Sequence, residues 1–62
     1  MSNYDYNFDL LKTICVMYSY DDNETVFSCY TKEFELLKKK LRGENYKVEK
    51  FGEANELCEV TL

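Results

Sequence analysis

The chain has 62 residues, with 12 acidic against 8 basic side chains for a net charge of −4, and it contains no His, Pro or Trp. A chain this short buries only roughly 60% of the surface its unfolded form exposes, which excludes a deep catalytic cleft walled by two lobes and leaves room for one thin core. The acidic balance opposes direct binding to nucleic acid, where Lys and Arg on phosphate supply most of the affinity, but it suits a protein that occupies a basic surface.

Residues 1–11 open with Tyr4, Tyr6, Phe8 and Leu10 alternating with Asp5, Asn7 and Asp9. Period two predicts an N-terminal aromatic and acidic arm or short strand over 1–11, although Phe8 with Leu11 also fits a turn of helix. Residues 12–62 then read as a single domain. Lys12–Tyr20 and Glu24–Tyr30 are rich in Val, Ile, Thr, Tyr and Phe, which predicts two strands joined as a hairpin across Asp21-Asp22-Asn23. A loop over all three turn residues places Cys15 opposite Cys29. A two-residue or four-residue loop slips the register by one. Ile14, Val16, Tyr18, Phe27 and Cys29 then share a face, against Cys15, Met17, Val26 and Tyr30. Either register leaves two apolar faces on the hairpin.

The period next changes to that of a helix, with Phe34, Leu37 and Leu41 on one stripe and Leu36 at its shoulder. Thr31 suits the N-cap, Glu33 and Glu35 the first turn, Lys38, Lys39, Lys40 and Arg42 the last turns, and Gly43 the position past the end. Tyr46–Phe51 and Glu56–Leu62 follow as strands, the second with Cys58, Val60 and Leu62 alternating with Glu59 and Thr61. The fold class predicted is α+β: a small ββαββ domain, an antiparallel sheet with one helix packed on a face. One helix covers one face. The other face calls for the N-terminal segment, a second subunit through the Lys12–Tyr30 hairpin, or a foreign partner.

Three cysteines, Cys15, Cys29 and Cys58, have neither zinc-ligand spacing nor a His beside them, and they fall in apolar patterns where Cys packs as a small hydrophobe. With no basic-then-apolar leader, and no apolar run longer than Ile14 to Tyr18, the expectation is a reduced, soluble, cytoplasmic protein without a membrane contact. No His, no phosphate-binding Gly-rich loop and no calcium loop are present, so neither catalysis nor a metal or cofactor is expected.

Charge is unevenly placed. Residues 1–30 set Asp5, Asp9, Asp21, Asp22 and Glu24 against Lys12, whereas Lys38 to Arg42 form the single basic cluster. Tyrosine beside carboxylate makes an amphipathic contact surface, so Tyr4, Asp5, Tyr6, Asp9, Tyr18, Tyr20, Asp21 and Asp22 are the expected partner-binding residues. They fit a larger protein or nucleoprotein complex with a basic surface. Acidic groups on a rigid sheet can imitate a phosphate backbone there. In size and in its Asn, Tyr, Lys, Asp and Glu richness, though on no motif, the chain is similar to small accessory proteins of phages and mobile elements. That similarity implies an inhibitor of a host defence or nucleic-acid-processing complex, anti-CRISPR-like or antitoxin-like. The alternative expectation is a dimeric nucleic-acid-binding or regulatory protein using the basic helix Lys38–Arg42.

Overall fold

A computed structural model of the protein describes residues 2–49 and 52–62. Helix α1 spans Asn3–Ile14, strands β1 and β2 span Met17–Asp21 and Glu24–Tyr30, and helix α2 spans Thr31–Leu37 before a 3-10 turn over Lys38–Lys40. Strands β3 (Lys47–Glu49) and β4 (Leu57–Thr61) complete the chain. The four strands form one antiparallel sheet in the order β1-β2-β4-β3. The class is therefore α+β, but the order is αββαββ and two helices are present. Lys50 and Phe51, expected at the end of the third strand, lie outside the described residues.

The N-terminal segment is a helix, not an extended arm or strand. Ser2 caps it, its hydroxyl accepting from the Asp5 amide at 3.2 Å, and Asp5 sits in the first turn where the helix dipole favours a carboxylate. Alternation of aromatics lost to a helical stripe, because Leu11 is fully buried and Phe8, Leu10 and Ile14 pack around the core. Residues 12–14, expected to open the first strand, finish this helix instead.

The hairpin turns on two residues. Asp22 and Asn23 have φ of 49° and 64°, and Asp21 pairs with Glu24. Both side chains tolerate the left-handed region that such a tight turn demands. Tyr18 consequently lies opposite Phe27, so the register is the slipped one and Cys15 does not face Cys29. Cys29 instead pairs with Cys58 of β4.

Both helices cover the same face. Thr25, Phe27 and Cys29 of β2 and Cys58 and Val60 of β4 are buried on it, beneath Leu11 of α1 and Phe34 and Leu37 of α2. Met17, Ser19, Val26, Ser28, Tyr30, Leu57, Glu59 and Thr61 alternate onto the opposite face. That face mixes apolar and polar groups, and α1 does not cover it.

Helix α2 starts where expected, but Thr31 is inside it rather than capping it. Its hydroxyl and its amide both donate to the Glu56 carbonyl, at 2.9 and 2.8 Å, tying α2 to the entry of β4. The α-helix stops at Leu37, and the lysines follow in a tighter 3-10 turn. Gly43 has φ of +70°, and a Cβ there would come within 3.1 Å of the Asn3 side chain, so a glycine lets this loop press against α1.

Two buried thiols carry a pH signature. Burial pushes the Cys29 thiol from 9.0 up to about 12, with neighbouring Cys58 and then Cys15 adding to the effect. Burial raises Cys58 as well. A proton held more tightly in the folded state gives stability that is intact below pH 9.0 and lost as pH rises towards about 12. Each such group contributes a slope of at most about 1.4 kcal/mol per pH unit. In melts taken from neutral pH into this window, Cys29→Ala should start lower than the parent and decline less steeply. Parallel declines would show that the Cys29 thiol titrates alike in both states.

Candidate partner-binding edge

Strand β1 is the outer strand of the sheet, and all five of its residues are exposed. Helix α1 packs over β2, and an aromatic chain joins it to β1. Phe8 is the hub: its ring centroid lies 6.1 Å from Tyr4, 5.7 Å from Tyr18 and 5.3 Å from Phe27. Tyr18 stands 5.7 Å from Phe27 as well. These spacings and tilts suit the ring quadrupoles. They hold Tyr18 in one place while leaving it 44% exposed.

Tyr4 and Tyr20 extend the surface towards the turn. The Tyr4 and Thr25 hydroxyls are hydrogen-bonded at 2.9 Å, and Thr25 is the cross-strand partner of Tyr20. Tyr20 is 67% exposed, and its hydroxyl donates to the Asn23 side-chain oxygen at 3.2 Å. Successive helical residues turn by about 100°, so Asp5 lies next to Tyr4 round α1, while Asp9 stands about 160° from the buried Leu11 and points away from the sheet. Asp21 and Asp22 occupy the end of β1 and the turn. Three acids, Asp5, Asp21 and Asp22, thus flank the edge against Lys12, whose ammonium stands 5.9 Å above the Tyr18 ring.

The main chain of β1 is half-paired. In a two-residue hairpin the residues flanking the turn exchange the first pair of hydrogen bonds, and bonding residues then alternate. Asp21, Ser19 and Met17 are therefore directed at β2, while the amide and carbonyl groups of Tyr18 and Tyr20 are directed outward. The other outer strand differs: β3 has only three residues, with Lys47 and Glu49 flanking Val48. Short length and charge are the usual protection of a sheet edge. Strand β1 has no Lys, Arg or Pro.

Asp9 points away from the sheet, and of the other seven residues expected to bind a partner, six (Tyr4, Asp5, Tyr18, Tyr20, Asp21 and Asp22) lie round this edge. Tyr6 does not. It points to the far side of α1, where the Arg42 guanidinium stacks 3.8 Å from its ring centroid. That contact also removes Arg42 from any continuous basic helix, since Lys38, Lys39 and Lys40 are in the 3-10 turn and Arg42 follows beyond it. Phe8, Lys12 and the outward main-chain groups of β1 belong to the edge and were not expected. The i, i+4, i+8 spacing of Tyr4, Phe8 and Lys12 was the signal for the first two. Cys29 and Cys58 are buried in the core, and Cys15 is half-buried.

Among the described residues, no three His, Cys, Asp or Glu side chains are grouped to hold a metal ion, and no helix is long and apolar enough to cross a membrane. A shallow groove elsewhere is lined by Glu24, Glu44, Tyr46, Lys47 and Leu62 among others, and the aromatic and acidic groups do not converge on it. No family model, curated protein or solved structure matches the chain.

Proposed function

We propose that the protein is a small acidic interaction module that binds a larger partner at a basic surface, and blocks that surface against nucleic acid. One observation carries this reading: three exposed tyrosines and three aspartates, Asp5, Asp21 and Asp22, gather round one exposed sheet edge, on a strand, its turn and the adjoining helix. Tyrosine contributes contact area at low entropic cost, while the carboxylates supply complementarity and steer the encounter. The scale suits a competitive inhibitor of a nucleic-acid-processing complex rather than a catalyst.

The experiment is capture of partners from native lysate with nuclease present. Wild-type protein is compared with a variant carrying D5K, D9K and D21K together with D22N, asparagine being chosen because it tolerates the positive φ of position 22. Reversing Asp5 at the helix N-terminus should cost only about 0.3–1 kcal/mol, so the variant stays folded. Its capture of any basic, nuclease-resistant partner should fall by about a hundredfold or more. Undiminished capture by the variant contradicts acidic recognition. Loss of capture in K38E/K39E instead would move the function to the basic turn.

A further inference from the structure

We infer that the partner is received as a strand: the outer edge of β1 accepts an extended segment of the partner, with Lys or Arg at alternate positions, as a fifth strand of the sheet. This rests on the acidic-module reading and adds the mode of binding and the chemistry of the segment. The outward amide and carbonyl groups of Tyr18 and Tyr20 supply the hydrogen-bonding ladder. A bound strand places alternate side chains on the helix side of the sheet, beside the rings of Tyr18 and Tyr20 and nearest the carboxylate of Asp5. Lys12 already sets an ammonium over the Tyr18 ring, so a cation is accommodated on that face. The intervening side chains fall beside Met17 and Ser19 on the open face, where small apolar groups fit.

Charge decides between occupants. Asp5, Asp21 and Asp22 stand against Lys12 at the edge, so a second copy would bring the same excess of negative charge to the contact. Like charges placed together disfavour that pairing, and a basic segment relieves them.

The test is an amide-resolved NMR titration of the full chain with an acetylated, amidated peptide alternating Lys and Val over eight residues. The control is the same peptide with all its central amides N-methylated, which keeps the charges and removes the donors. The expected result is saturable binding, slowed hydrogen exchange at the Tyr18 and Tyr20 amides by about tenfold or more, and at least about tenfold weaker binding of the methylated peptide. Tyr20→Pro should weaken binding well beyond Tyr20→Ala, because the outward amide is lost along with the ring. Proline is tolerated where the edge amide faces solvent, which keeps the variant folded.

Equal binding of both peptides, or equal effects of the two Tyr20 variants, would overturn strand addition and leave charge-driven binding standing. No binding of either peptide would overturn the proposal outright. Tyr18 and Tyr20 protected without peptide, in a particle of twice the chain's mass, would assign the edge to a second copy instead.

Discussion

Asn7→Ala should lower the thermal midpoint by roughly 10–25 °C, although Asn7 contributes no hydrophobic group to the core. Asn7 is 3% exposed. Its amide nitrogen donates to the Arg42 carbonyl at 2.8 Å, and its carbonyl oxygen accepts from the Arg42 amide at 2.9 Å. One side chain thus satisfies both main-chain groups of a residue 35 positions away and fixes the loop after α2 to α1. Truncation leaves a donor and an acceptor without a partner, at about 1–3 kcal/mol each where they remain dry. A loss of about 2–4 kcal/mol is large for a domain this small, where each kcal/mol moves the midpoint by about 4–8 °C. Asn7→Asp should recover part of the stability, because a carboxylate still accepts from the Arg42 amide but repels its carbonyl. Calorimetry of the three proteins checks the order, and an alanine variant as stable as its parent would show that water replaces the clamp without cost.

Phe27→Ala should leave little folded protein at room temperature. Phe27 is fully buried at the centre of the sheet, opposite Tyr18 on one side and Val60 on the other. Its ring also meets Phe8 of α1. Truncating a buried Phe typically costs about 3–5 kcal/mol. A chain of this length has only about 3–9 kcal/mol to lose, at about 0.05–0.15 kcal/mol per residue. Phe27→Leu keeps most of the volume and loses the ring pairs, so a cost of about 1–2 kcal/mol is expected. Urea denaturation separates the two. An alanine variant with an unchanged midpoint would mean the core collapses freely around the gap.

The parts of this fold legible in the sequence are those where local pattern and tertiary packing agree. Cys58 and Val60 facing inward from β4 could be read directly, because one face of that strand is dry and the other wet, whereas β2 was legible as a strand but, with apolar groups on both faces, not in which side it buries. Helix α2 was legible in Phe34 and Leu37, but its end was not. The run Lys38 to Arg42 looks like a continued helix by charge and propensity, yet Arg42 is drawn away by the Asn7 clamp and the Tyr6 ring, two contacts with no local signature.

Helix α1 was hidden by its composition. Tyr4, Tyr6, Phe8 and Leu10 alternate like a strand, but two of these four serve other ends. Tyr6 stacks on Arg42, and Leu10 flanks the core from the side. The decisive signals were the Ser2 and Asp5 capping pair and the spacing of Tyr4, Phe8 and Leu11. The hairpin register hung on whether Asp21 belongs to the strand or to the turn, and sequence alone allowed both. For the β1 edge, residue types pointed to six of the side chains that lie round it, Tyr4, Asp5, Tyr18, Tyr20, Asp21 and Asp22. The outward main chain of Tyr18 and Tyr20 could not be read, because it depends on which strand is outermost in the sheet.

The most direct measurement for the acidic-edge account is a pair of NMR titrations of the wild-type chain, one with short poly-L-lysine and one with duplex DNA, at matched ionic strength. Acidic recognition at the β1 edge requires polylysine to shift the amides of Tyr4, Asp5, Tyr18, Tyr20, Asp21 and Asp22, and DNA to leave the spectrum unchanged. Shifts at Lys38, Lys39 and Lys40 on adding DNA, with the β1 edge silent to polylysine, would contradict it.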